Sequence, residues 1–113
     1  MIISITSIKL RKWWYFFRLT IHGAKIQHQL RKEKGFIRMK NTGWGYDHYT
    51  LSVWETEEDI RRFYKQGAHL NAMKQSKEIA TEVRTFHYTS ETLPSWKEVR
   101  DILEEKGKVM KYQ

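Results

Sequence analysis

The sequence predicts an α+β domain, and three observations carry the prediction. Polar and apolar residues alternate from Asp47 to Trp54, the period of a strand with two different faces. Thr56, followed by Glu57, Glu58 and Asp59, then places a hydroxyl and carboxylates at the positive end of a helix. Over the whole chain, strand-like and helix-like patterns follow one another as strand, helix, strand, strand, helix, strand, with one further helix appended. That order is the split βαβ arrangement of a ferredoxin-like βαββαβ fold. It implies a four-stranded antiparallel sheet with its two main helices on one face and an extra C-terminal helix.

Ile2, Ile3, Ile5, Ile8 and Leu10, mixed with Ser4, Thr6 and Ser7, read as the first strand. From Arg11 the apolar residues return at three- and four-residue steps (Trp13, Phe16, Phe17, Ile21, Ala24, Ile26, Leu30), so a helix runs to about Lys34 and stops at Gly35. Gly23 inside it costs about 1 kcal/mol relative to Ala, and close packing against a neighbour would account for it. Phe36 to Met39 is a short second strand, and Asn41 to Gly45 supplies the turn into the third. The helix starting at Thr56 carries Ile60, Phe63 and Tyr64. Gly67 interrupts it, and Ala68, Ala72 and Met73 belong to a second helical piece. Ile79 to Tyr88 alternates as a fourth strand. Pro94 marks a boundary, Ser95 with Glu98 forms a capping box, and Trp96, Val99, Ile102 and Leu103 line a last helix that ends at Gly107. Lys108 to Gln113 is expected to be a tail.

The chain is 113 residues long and 40% hydrophobic, enough for one core and a single domain spanning 1–113. It has no cysteine, which excludes disulfides, zinc–thiolate sites, iron–sulfur clusters and a cysteine nucleophile and fits a cytoplasmic protein. Met1 leads straight into Ile2 and Ile3 without a basic n-region, so no signal peptide is expected, and no apolar run approaches the roughly 20 residues of a membrane span. Residues 1–45 carry a net charge of +9 and residues 46–113 one of −1. A basic end of this kind attracts anionic partners through its long-range field, but no nucleic-acid motif accompanies it. With both sheet faces rich in apolar residues and the helices on one of them, the other face is expected to be bare and to pair with a second copy.

With the order of elements in hand, the residues Thr50-Leu51-Ser52-Val53-Trp54-Glu55, Phe63, Gly67-Ala68-His69 and Ala72-Met73, with Leu93-Pro94-Ser95-Trp96 leading into the last helix, resemble the dimeric α+β barrel proteins of the antibiotic-biosynthesis-monooxygenase type. Within that group the chain is most similar to small bacterial proteins related to spheroidene monooxygenase. The resemblance implies a homodimer with a small-molecule pocket between the helices and sheet of each subunit, in a group that contains cofactor-free monooxygenases of polycyclic aromatics, haem-degrading enzymes, haem-dependent enzymes and members without demonstrated activity. The haem-degrading branch uses an Asn, a Trp and a His where this chain has Thr6 or Ser7, Phe63 and Met73, which implies that it does not degrade haem by that route.

The five histidines show no metal-ligand spacing on one helix face, so no metal site is expected. His69, at the glycine break, is the first candidate for a catalytic base near pH 7, and His22, on the apolar side of the first helix, could face it across a pocket. Trp13, Phe17, Trp54, Phe63 and Met73 suit a flat apolar ligand, and Arg84 suits a carboxylate. His48, Thr50, Ser52 and Trp54 share one strand face and could line a polar cavity. Two other readings stay open. One is a non-catalytic module that docks on an anionic membrane or protein surface through Lys9, Arg11, Lys12 and Arg18 around Trp13 to Phe17. The other is a haem protein with a histidine axial ligand.

Overall fold

The computed structural model describes residues 1–112, apart from the side chains of residues 67–72. Its elements are β1 (Ile2–Leu10), α1 (Phe16–Leu30), β2 (Phe36–Trp44), β3 (Asp47–Trp54), α2 (Glu57–Tyr64), α3 (Gly67–Ile79), β4 (Ala80–Thr89), α4 (Trp96–Lys106) and β5 (Lys108–Lys111). The strands form one antiparallel sheet in the order β2-β3-β1-β4-β5. The first four strands therefore have the expected ferredoxin-like neighbours. The sheet has five strands rather than four, because the expected tail pairs with β4, Lys108 opposite Thr85 and Lys111 opposite Glu82.

The local signals behave as the residues dictate. Thr56 caps α2 by accepting from the Asp59 backbone N–H at 3.2 Å, and its hydroxyl donates to the Asp59 carboxylate at 2.7 Å. Ser95 and Glu98 form the reciprocal capping box at the start of α4. β2 is longer than expected. Asn41, Thr42 and Gly43 pair with β3, and the turn shrinks to Gly45 and Tyr46. Gly45 takes φ 62°, the positive value that the first loop position of a type II′ hairpin requires. α1 begins at Phe16 after a 3-10 turn over Trp13–Tyr15, five residues later than its apolar pattern suggested.

Two apolar layers hold the sheet. On one face Leu30 of α1, Ile60 and Phe63 of α2 and Trp54 of β3 are buried together, with Ile26 and Phe36 packed against them. On the other, Val99 and Leu103 of α4 bury Ile3, Ile5, Leu51 and Val53. This corrects the expectation of a bare second face, since α4 folds back over it and its apolar stripe finds a partner within the chain. The argument for pairing two copies through that face loses its basis. Among the described residues no helix is long and apolar enough to cross a membrane.

Candidate functional site

Strand alternation decides which side chains look toward α1 and α2. The pairing aligns Asn41, Thr50, Thr6 and Thr85 as one row across β2, β3, β1 and β4, and Met39, Ser52, Ser4 and His87 as the next. Both rows lie on the face of Trp54, two residues along β3 from Ser52 and buried against α1 and α2. Ser4 is buried and shares a 2.8 Å hydrogen bond with the Tyr64 hydroxyl of α2. The Trp54 indole N–H donates to Ser52 Oγ at 3.1 Å. Thr6, Thr50, Ser52 and Thr85 are only half-buried, although they sit on inner strands under a helical layer. A sheet face covered by tightly packed helices would carry buried apolar residues at these positions.

α1 spans this region lengthwise. Its last residue, Leu30, packs with Trp54, and its first, Phe16, stacks on His48 at a ring separation of 5.4 Å. His48 and Trp54 are about 20 Å apart along an extended strand, and Phe16 and Leu30 are about 21 Å apart along a helix, so the two elements run past each other in register. His22 and Gly23 lie in the middle of α1, between these two anchored ends. Gly23 shares the inward side of the helix with Leu19, Ile26 and Leu30. A Cβ built there would meet nothing within 4 Å among the described residues beyond the helix's own backbone. Among the described residues the expected close packing at Gly23 is absent. His22 is half-buried, and burial first, then the charges of Lys25 and Arg18, hold its pKa below the ordinary value, with Glu78 opposing. Neutral imidazole, able to accept a proton, is thus the favoured form near pH 7. On α3 the side-chain oxygen of Gln75 is buried with no hydrogen-bond partner among the described residues.

The sequence-predicted residues divide into four groups. Trp54 and Phe63 are buried together with rings 5.3 Å apart, so they form packed core behind the hydroxyl rows. Trp13, Phe17 and Met73 are exposed on the outside of the helical layer. Arg84 is aligned with Ser7, on the α4 side of the sheet, and pairs with Glu82 at 3.4 Å, so it cannot join His22 in one pocket. The His69 side chain lies outside the described residues. Ser4, Thr6, Thr85 and Tyr64 were not singled out as site residues. The signal was Ser4 and Thr6 alternating with Ile3 and Ile5 in β1, and it needed the pairing register before the row became visible.

Two open clefts, of about 330 and 290 Å³, lie on the α4 side near Asp47, Tyr49 and Arg100. Arg100 stands over the Tyr49 ring at 5.2 Å, and Lys9, Glu82, Arg84 and Glu104 mix both charges around the second cleft. Among the described residues no three His, Asp or Glu side chains come together in a metal-binding arrangement.

No family model and no curated protein matches the sequence. Solved structures do match. SnoaB, a cofactor-independent oxygenase from Streptomyces nogalater, is 16% identical, with a TM-score of 0.68 over 83% of this chain and 97% of that one. A candidate antibiotic biosynthesis monooxygenase from Deinococcus radiodurans is 13% identical, with a TM-score of 0.74 over 84% and 97%. Another, from Nitrosomonas europaea, is 12% identical, with a TM-score of 0.71 over 81% and 100%. The chain therefore has the fold of the antibiotic biosynthesis monooxygenase-like α+β proteins.

Proposed function

We propose that this protein binds a small apolar or aromatic molecule in a hollow between α1 and the sheet and oxidises it with molecular oxygen, without a metal or organic cofactor. The observations that carry the reading are the room for a Cβ at Gly23 on the inward side of α1 and the half-buried Thr6, Thr50, Ser52 and Thr85 on the sheet face that α1 and α2 cover. The hydroxyls would orient the polar edge of the ligand. The likeness to SnoaB in fold supports the reaction class. His22, assisted by His69, accepts a proton from an acidic C–H of the substrate, and the resulting carbanion combines with oxygen to give a hydroperoxide. Loss of water from the hydroperoxide leaves a carbonyl, so one oxygen atom ends in product and the other in water, and no external reductant is required. The homodimer in this reading rests on the family resemblance, since α4 occupies the face expected to drive it.

Native mass spectrometry of freshly purified protein, paired with oxygen-uptake assays on a panel of polycyclic phenols and quinols, tests the proposal. Gly23→Leu is expected to abolish ligand retention and oxygen uptake without loss of stability, because it fills the hollow and removes a helix-interior glycine worth about 1 kcal/mol. His22→Ala is expected to retain the ligand and lower turnover about 100-fold or more. Undiminished binding in the Gly23→Leu protein, or its misfolding through collision with neighbours, would show that the space is not a ligand site.

A further inference from the structure

The outward side of α1 is apolar where a surface helix is ordinarily polar. Trp13 is 56% exposed, Phe17 65% and Ile21 57%, and Trp14 joins them. With exposed Ala24 they recur at three- and four-residue steps and form a continuous stripe opposite the side that carries His22, Ile26 and Leu30. Arg18 and Lys25, seven residues apart, border this stripe on one flank, and Arg11 and Lys12 stand at its start. α3, which packs beside α1, adds Lys74 and Lys77 and exposed Met73. Residues 11–30 and 67–79 together contain six Lys or Arg and one carboxylate, Glu78, which pairs with Arg18 at 3.0 Å. Aromatic and aliphatic side chains bordered by cations on one helical face are the arrangement of a helix that lies in the plane of a membrane interface.

We infer that this face docks the protein on a membrane surface containing anionic lipid, with α1 parallel to the bilayer plane. Trp13, Phe17 and Ile21 enter the headgroup–acyl boundary, and Arg11, Lys12, Arg18 and Lys25 meet the phosphates. The hairpin tip lies at the same end as the start of α1. The Leu10 N–H donates to the Tyr46 carbonyl at 2.8 Å, and Phe16 stacks on His48. A second copy is a poorer occupant. A two-fold contact through this face would set one basic helical layer against another, and like charges brought together oppose association.

Co-sedimentation of the full chain with vesicles decides the matter. Vesicles of phosphatidylcholine with about one third phosphatidylglycerol are expected to pellet the protein and shift its tryptophan emission to the blue. Pure phosphatidylcholine vesicles, or salt at about 1 M, where the screening length falls to about 3 Å, are expected to abolish both signals. Phe17→Ser with Ile21→Ser, both at exposed positions, is expected to weaken partitioning more than about tenfold with the circular dichroism spectrum unchanged. Lys12→Gln with Lys25→Gln is expected to weaken it by about fivefold per charge. Failure to pellet with anionic vesicles, equal binding to neutral ones, or unaltered binding of the Phe17→Ser/Ile21→Ser protein overturns the inference. So does a homodimer that this double substitution breaks, which would assign the stripe to a second copy.

Discussion

Two polar contacts show what single residues contribute, one joining α2 to the sheet and one holding the start of α2. Ser4 on β1 and Tyr64 on α2 are sixty residues apart in sequence and 2.8 Å apart in space. Burial, only partly offset by the Ser4 bond, pushes the Tyr64 phenol above its ordinary pKa, so it remains protonated at all ordinary pH. Tyr64→Phe is expected to leave Ser4 without that partner and to cost about 1–3 kcal/mol, read as a lower urea midpoint with unchanged slope. The second contact is a clamp at the start of α2. Asp59 accepts from the Thr56 hydroxyl and, at 3.1 Å, from Arg62, and both hold its pKa below the ordinary value, the Thr56 bond most strongly, against an opposing effect of burial. The carboxylate is thus more acidic folded than unfolded. Its contribution to stability is present above the ordinary value of 3.8 and is lost as pH falls through the depressed one. Asp59→Asn is expected to flatten stability across that acid range, measured by urea titrations at stepped pH. Gly35, at φ 85°, lies so close that a methyl group there would run into the Asp59 side chain. Gly35→Ala should therefore be destabilising through both backbone strain and collision.

α4 is the element whose destination matters most. Leu103 is 2% exposed and Val99 fully buried against Ile3, Ile5, Leu51 and Val53. Leu103→Ala is expected to cost about 2–5 kcal/mol in chemical denaturation. Removing residues 95–113 is expected to turn that sheet face into an exposed apolar surface, so that the shortened chain self-associates more strongly than the full one in sedimentation velocity. Elements defined by local chemistry were legible in the sequence. The Thr56 and Ser95 caps, the alternation of Asp47 to Trp54 and the glycine at residue 67 fixed most helices and strands. What α4 covers was not legible, because an amphipathic helix states that it has an apolar side but not which surface receives it. Lys108 to Lys111 has no strand signature of its own and becomes one only because β4 offers an unpaired edge. The threonine row was half legible: which residues share a face follows from period two, but which threonines stand side by side depends on pairing between distant strands.

At the scale of the molecule, charge and apolar surface are sorted together. The basic first 45 residues supply β1, α1 and β2, and the nearly neutral remainder supplies β3, β4, β5, α2, α3 and α4. The helical layer over the hydroxyl rows thus also carries the basic first helix, and a ligand held beneath α1 would lie directly behind the surface proposed above to dock on anionic lipid. One further property follows from how the sheet ends. On one border β5 occupies the rim of β4 with only four residues, and on the other β2 carries exposed Arg38 and Lys40 beside an irregularity between Phe36 and Arg38. A stray strand that tried to extend the sheet would meet a short flap at one rim and a kinked, repelling row of cations at the other. Concentrated solutions are accordingly expected to stay clear and thioflavin-negative on prolonged storage, whereas Arg38→Val with Lys40→Val should let fibrils grow from the opened rim.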